Sequence, residues 1–88
     1  MRVEGTQPIR PAAARRRKAV ARAAKMLDRL DELQLGLVEG AIDGDALADL
    51  AAAARSARED TGDVALQGVL DEIELRAAVE LAKLSTTL

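Results

Sequence analysis

The side chains that could perform acid–base or nucleophilic chemistry are limited to Asp, Glu, Lys, Ser and Thr, because the sequence contains neither His nor Cys. Ser56 and Ser85 therefore have no imidazole to activate them as nucleophiles. Adjacent acids such as Asp31 and Glu32 point apart on a helix and into water. The chain has no phosphate-binding or dinucleotide-binding glycine pattern. We predict no catalytic residues, no enzyme activity and no cofactor.

The stretch Asp43-Gly44-Asp45 has the beginning of a calcium-loop pattern. An EF-hand loop needs further oxygen ligands at regular spacing and a distant Glu, and these are missing. Asp43 is well placed to cap a helix, because its carboxylate can accept hydrogen bonds from the free amides of the first turn. Ile42 and Leu47 match the apolar pair that flanks such a cap. We predict a helix cap and no metal site.

The apolar residues, 49% of the chain, are mostly Ala and Leu, and no aromatic residue is present. Ala and Leu are strong helix formers, and no alternating apolar–polar run marks a strand. The sequence therefore predicts an all-α protein. Residues 1–11 contain Gly5 and little to bury, which predicts a flexible tail before a single helical domain at 12–88. The predicted helices are 12–39, 44–59 and 64–84.

Short connections between these helices predict an antiparallel three-helix bundle with a long first helix. The basic end of the first helix should extend beyond the shorter second helix, with its charged side chains unpaired. The expected core face of helix one contains Val20, Ala23, Met26, Leu27, Leu30, Leu33, Leu37 and Val38. No apolar run is long enough to span a membrane. Without cysteines or a signal sequence, we expect a cytoplasmic protein.

Charge is divided unevenly along the chain. Residues 1–29 hold nine basic and two acidic residues, whereas residues 30–88 hold four basic and thirteen acidic residues. The basic arm, which we define as Arg15, Arg16, Arg17 and Lys18, could steer an acidic partner or bind phosphates. Direct nucleic-acid binding is not expected, because no aromatic residue can stack on bases and the later helices are acidic. A nucleic-acid or membrane-surface module using this arm remains the alternative.

The third helix is apolar on two sides. Its core-facing stripe consists of Leu66, Val69, Leu70, Ile73, Ala77, Leu81 and Leu84. Nearly opposite lie Gly68, Leu75, Val79 and Ala82. Either the helix is central and buried on both faces, or the second face binds a partner or a second copy of the chain.

We predict partner contact by Leu75, Arg76, Val79 and Glu80. Glu72 and Arg76 have the order that favours an ion pair one turn apart. Glu80 lies within the angular range of the apolar stripe. We expect it to extend to the end of the bundle beside Arg76, or to meet a basic side chain of Arg16, Arg17 or Arg22.

Two segments resemble the class II flagellar assembly regulators, the FliX family of alphaproteobacteria. The more specific one is DEIELRAAVELAKL (Asp71 to Leu84), and KMLDRLDELQLGLVEGAI (Lys25 to Ile42) is similar to the preceding long helix. The resemblance covers roughly Arg15 to Leu84. Typical members have a longer N-terminal region, so this chain resembles a shortened one.

The resemblance implies a non-enzymatic cytoplasmic regulator. Its implied partner is an NtrC-like, sigma-54-dependent transcription activator of the FlbD type. Binding would couple flagellar assembly to flagellar gene expression. A purely structural homodimer through Leu75 and Val79 is a further alternative from the residues alone.

Overall fold

The computed structural model describes residues 9–41 and 43–86, and within them it contains three helices. These are α1 (Ile9–Val38), α2 (Gly44–Asp60) and α3 (Val64–Thr86). Arg58 of α2 pairs with Asp71 of α3, and Arg55 pairs with Glu74, so the two helices run antiparallel. The predicted all-α three-helix bundle is confirmed. The flexible tail was expected at residues 1–11, of which 1–8 lie outside the described residues, as does Ile42 of the expected apolar pair.

The first helix begins at Ile9, three residues before the expected start after Pro11. A proline in the first turn lacks only an amide proton that would have no acceptor within the helix, so Pro11 does not delay the start. The third helix likewise continues to Thr86, two residues beyond the expected end at Leu84.

The end of α1 is fixed by a glycine cap. The amide of Gly40 donates to the carbonyl of Leu37 at 3.1 Å, and the amide of Ala41 donates to that of Gly36 at 2.7 Å. Gly40 has φ of +92°, a conformation that L residues rarely adopt. This pair of bonds satisfies carbonyls that the helix leaves free and turns the chain toward α2.

Aspartates cap the other two helices, and Asp43 does so as predicted. The Asp43 carboxylate accepts from the amide of Ala46 at 3.0 Å, and the Asp63 carboxylate accepts from the amide of Leu66 at 3.0 Å. The turn between α2 and α3 is also tied to α3, because the side chain of Gln67 donates to the carbonyl of Thr61 at 2.7 Å.

The core is aliphatic and is built from all three helices. Its buried members are Ala23, Leu30, Leu33, Leu47, Leu50, Ala54, Ala57, Leu66, Leu70, Ile73 and Ala77. The second and third helices pack most extensively against each other, and α1 packs less extensively against both. Ala54 and Ala57 of α2 are among these buried residues, and their small side chains permit close packing of the neighbouring helices.

The predicted core face of α1 is partly wrong. Val20, Leu27 and Val38 are 45%, 36% and 84% exposed. They lie on one edge of the apolar arc of α1, and two neighbouring helices cover only the rest of that arc. A wide apolar arc on α1 therefore leaves an apolar edge uncovered.

Candidate functional site

The predicted contact residues of α3 lie in its second half, and all of them except Glu80 are exposed to solvent. Leu75 is 60% exposed and Val79 is 43% exposed. Arg76, between them, donates to Glu72 at 2.9 Å, which is the predicted ion pair one turn apart. The alternative in which both faces of α3 are buried is therefore wrong, and the outer face of α3 presents two apolar side chains beside an ion pair.

Glu80 is the partly buried member of the predicted set. Its carboxylate lies 3.5 Å from the ammonium of Lys83, one turn later on α3. The expected pairing of Glu80 with Arg16, Arg17 or Arg22 is wrong, because Arg16 lies at the other end of α3. The basic arm is level with the start of α3, whereas Glu80 lies near its end.

The basic arm is exposed, and one of its members is paired. Arg16 donates to the Asp63 carboxylate at 2.8 Å, so the expectation of an unpaired overhang is wrong for this residue. Arg15, Arg17 and Lys18 are exposed and form no ion pair with other described residues. Their charges are therefore available to an approaching anionic surface.

The amide of Leu66 and the guanidinium of Arg16 both stabilise the charged form of Asp63, and together they lower the pKa of its carboxyl group. The hydrogen bond from the backbone amide of Leu66 is the larger of the two causes. Asp63 thus both caps α3 and fixes the basic end of α1 beside the turn at residues 61–63.

Arg15 and Arg16 also line a hollow of about 300 Å³ between α1 and this turn, with Leu66 and Leu70 among the apolar residues on its wall. Asp60 and Asp63 line the hollow as well, so both guanidinium and carboxylate groups border its apolar wall.

The structure does not bring the basic arm and the outer face of α3 together. Arg16 is level with Asp63, and Leu75 is twelve residues further along α3. At about 1.5 Å per residue, that separation is roughly 18 Å. A single partner can contact both only if it extends along the bundle.

The sequence reasoning missed an ion-pair cluster between α2 and α3. Arg58 donates to Glu74 at 2.9 Å and also pairs with Asp71, while Arg55 donates to Glu74 at 2.8 Å. The pKa of Arg58 is raised, chiefly by its hydrogen bond to Asp71. The matching three-residue spacings of the two basic and two acidic residues could have revealed this pairing. The cluster joins the two helices and leaves the outer face of α3 uncovered.

No described helix is long and apolar enough to cross a bilayer. The described segments also contain no group of three or more potential metal-ligating side chains. What they offer is a small helical bundle with an uncovered apolar face, an uncovered apolar edge and a basic arm. These are surfaces on which another macromolecule can pack.

Comparison with known proteins gives the family. A family model described as class II flagellar assembly regulator, FliX, matches residues 1–85. The flagellar assembly protein FliX of Caulobacter vibrioides is 53% identical over 70 residues, which cover 80% of this chain and 49% of the relative. The chain thus spans about half the length of this relative. No solved structure matches the present chain. The chain belongs to the class II flagellar assembly regulator family, as the sequence resemblance indicated.

Proposed function

We propose that this chain is a non-enzymatic cytoplasmic regulator that binds an NtrC-like, sigma-54-dependent transcription activator of the FlbD type. Binding couples flagellar assembly to flagellar gene expression. Family membership supports the regulatory role, and the exposed pair Leu75 and Val79 supports the site of contact.

The outer face of α3 is suited to pack against an apolar groove of the activator. Leu75 and Val79 are one turn apart, which is the spacing with which a helix presents anchors to a groove. The pair formed by Arg76 and Glu72 lies beside them, and burying it intact leaves no charge unpaired. Glu80 lies within the angular range of the core stripe, is partly buried and pairs with Lys83, so it contributes less to this face than Leu75 and Val79 do.

The basic arm acts by steering. Arg15, Arg17 and Lys18 are exposed charges at the opposite end of the bundle, and such charges speed the approach of an acidic surface more than they stabilise the complex. Regulation follows from mass action, because binding one state of the activator better than another shifts its population toward that state. A clear switch needs a preference of several kcal/mol.

The proposal is tested by calorimetric titration of the activator with wild type and with Leu75→Glu. The matched control is Leu35→Glu, because Leu35 is the same residue type and is 59% exposed on a different helix. We expect Leu75→Glu to weaken binding at least tenfold and Leu35→Glu to leave it unchanged. A double variant, Leu75→Glu/Val79→Glu, should abolish binding. Circular dichroism must show wild-type helicity for all three variants.

Two outcomes contradict the proposal in different ways. Equal binding by wild type and Leu75→Glu shows that the activator is the partner but that the outer face of α3 is not the site. No binding by wild type shows that the activator is not a partner of this chain.

A further inference from the structure

Two parallel seams run along α1. The inner seam faces α2 and α3 and consists of Arg16, Ala19, Ala23, Met26, Leu30, Leu33 and Leu37. The outer seam is shifted by one position and consists of Ala13, Arg17, Val20, Ala24, Leu27, Asp31, Gln34 and Val38. Each follows alternating steps of three and four residues, which is the spacing of a coiled-coil contact. The helix thus has the pattern for a second helical neighbour.

The outer seam is uncovered. Val20 and Leu27 are the half-exposed apolar residues near its middle, and Ala24 between them is exposed as well. Arg17 and Asp31, one on each side of this apolar stretch, are exposed and pair with no other described residue. The seam therefore has a basic end, an apolar middle and an acidic end.

We propose that a second copy of this chain packs along the outer seam in the antiparallel direction, with a two-fold axis at Ala24. Arg17 and Asp31 are fourteen positions apart, and Ala24 is midway between them. Reversing the helix about this point puts Arg17 of each copy level with Asp31 of the other. Val20 then packs beside Leu27 of the second copy, and the small side chain of Ala24 lets the two helices approach closely.

The charges select both the partner and the direction. In a parallel pair, Arg17 would face the same arginine and Asp31 the same aspartate, and like charges at such positions oppose pairing. Only the reversed arrangement forms opposite-charge pairs, and symmetry supplies two of them. A basic–apolar–acidic order is complementary to its own reversal, which is the charge argument for a second copy rather than a different protein.

Val69 of α3 is a further exposed apolar residue at a similar height in the bundle. It is 39% exposed, and it lies near the level of Val20 because Arg16 is level with Asp63. No large apolar side chain of α2 is exposed within the described residues, so the apolar surface available for association is confined to α1 and α3. The proposed interface includes the basic arm through Arg17 alone and does not depend on the proposed activator.

The test is sedimentation equilibrium of the full chain from micromolar to millimolar concentration, detected by interference optics because the chain has no aromatic residue. We expect the mass of wild type to rise from that of one chain toward that of two. Arg17→Asp and Asp31→Arg should each weaken dimerisation at least tenfold. The charge-swapped double variant, Arg17→Asp/Asp31→Arg, should recover it to within about threefold of wild type, which loss of folding cannot explain.

Lys18→Asp is the matched control, because it makes the same charge change at an exposed neighbour that lies off the outer seam. It should dimerise as wild type does. A single-chain mass at every wild-type concentration would overturn the proposal and leave the outer seam to a different protein. A dimer that withstands Arg17→Asp, or a double variant that stays as weak as the single ones, would also refute this interface.

Discussion

The two glycines at the end of α1 should respond oppositely to the same substitution. Gly40 has φ of +92°, and an added Cβ would meet nothing within 4 Å. The cost of Gly40→Ala is therefore conformational, about 1–2 kcal/mol, because L residues disfavour this backbone region. Gly36 lies inside the helix, and its added Cβ would come no closer than 3.7 Å to a neighbouring atom. Gly36→Ala should stabilise by about 0.5–1 kcal/mol through helix propensity.

These values are measured by urea and thermal unfolding followed by circular dichroism at one protein concentration. In a domain of this size, 1 kcal/mol changes the melting temperature by about 4–8 °C. We therefore expect Gly40→Ala to melt several degrees below wild type and Gly36→Ala a few degrees above it. If Gly40→Ala melts at or above the wild-type temperature, the glycine cap is not what ends α1. If Gly36→Ala melts below wild type, the reasoning from helix propensity at that position fails.

The core and the Asp63 pair give two further predictions. Leu47 is fully buried, so Leu47→Ala should lower the free energy of unfolding, measured with urea, by about 2–5 kcal/mol. Leu75 is exposed, so the control variant Leu75→Ala should change the same free energy by less than about 0.5 kcal/mol. The lowered pKa of Asp63 means that its stabilisation is fully present above the unfolded pKa, near 3.8, and is lost as pH falls through the folded pKa. In measurements of unfolding free energy against pH, Arg16→Ala should move the loss of this stabilisation to higher pH. Lys18→Ala removes no such ion pair and should leave the pH dependence unchanged. If wild type and both variants lose stability over the same acidic pH range, the assignment of the pair is contradicted.

Local chemistry allowed much of the fold to be predicted from the sequence. Asp43 and Asp63 precede apolar-periodic segments and cap them, since a carboxylate at that position satisfies free amides wherever the helix packs. Gly40 stops α1 for a reason equally local to the backbone. Such features depend on residues three or four positions away, and a sequence displays them directly.

The surface could be predicted less well, because exposure depends on where neighbouring helices lie. Periodicity put Val20 and Leu27 on the same arc as Leu30, but only the packing of α2 and α3 decides which part of that arc is covered. The pairing of Arg16 with Asp63 joins residues 47 positions apart, and nothing local in the sequence marks it. The exposed pair on α3 was found because it lies nearly opposite the core stripe, on the side that two helices packed against that stripe leave open.

The unequal packing of the three helices bears on the order in which the bundle assembles. Three residues, 61–63, connect α2 to α3, so the ion pairs of Arg58 close a short loop of chain. The contact between Arg16 and Asp63 closes a much longer one. Because α2 and α3 have a short connection and also pack most extensively against each other, their helical hairpin is favoured as the first element to form, and α1 then docks on its surface. By this argument α1, the long basic helix, packs last when the bundle folds and separates first when it unfolds.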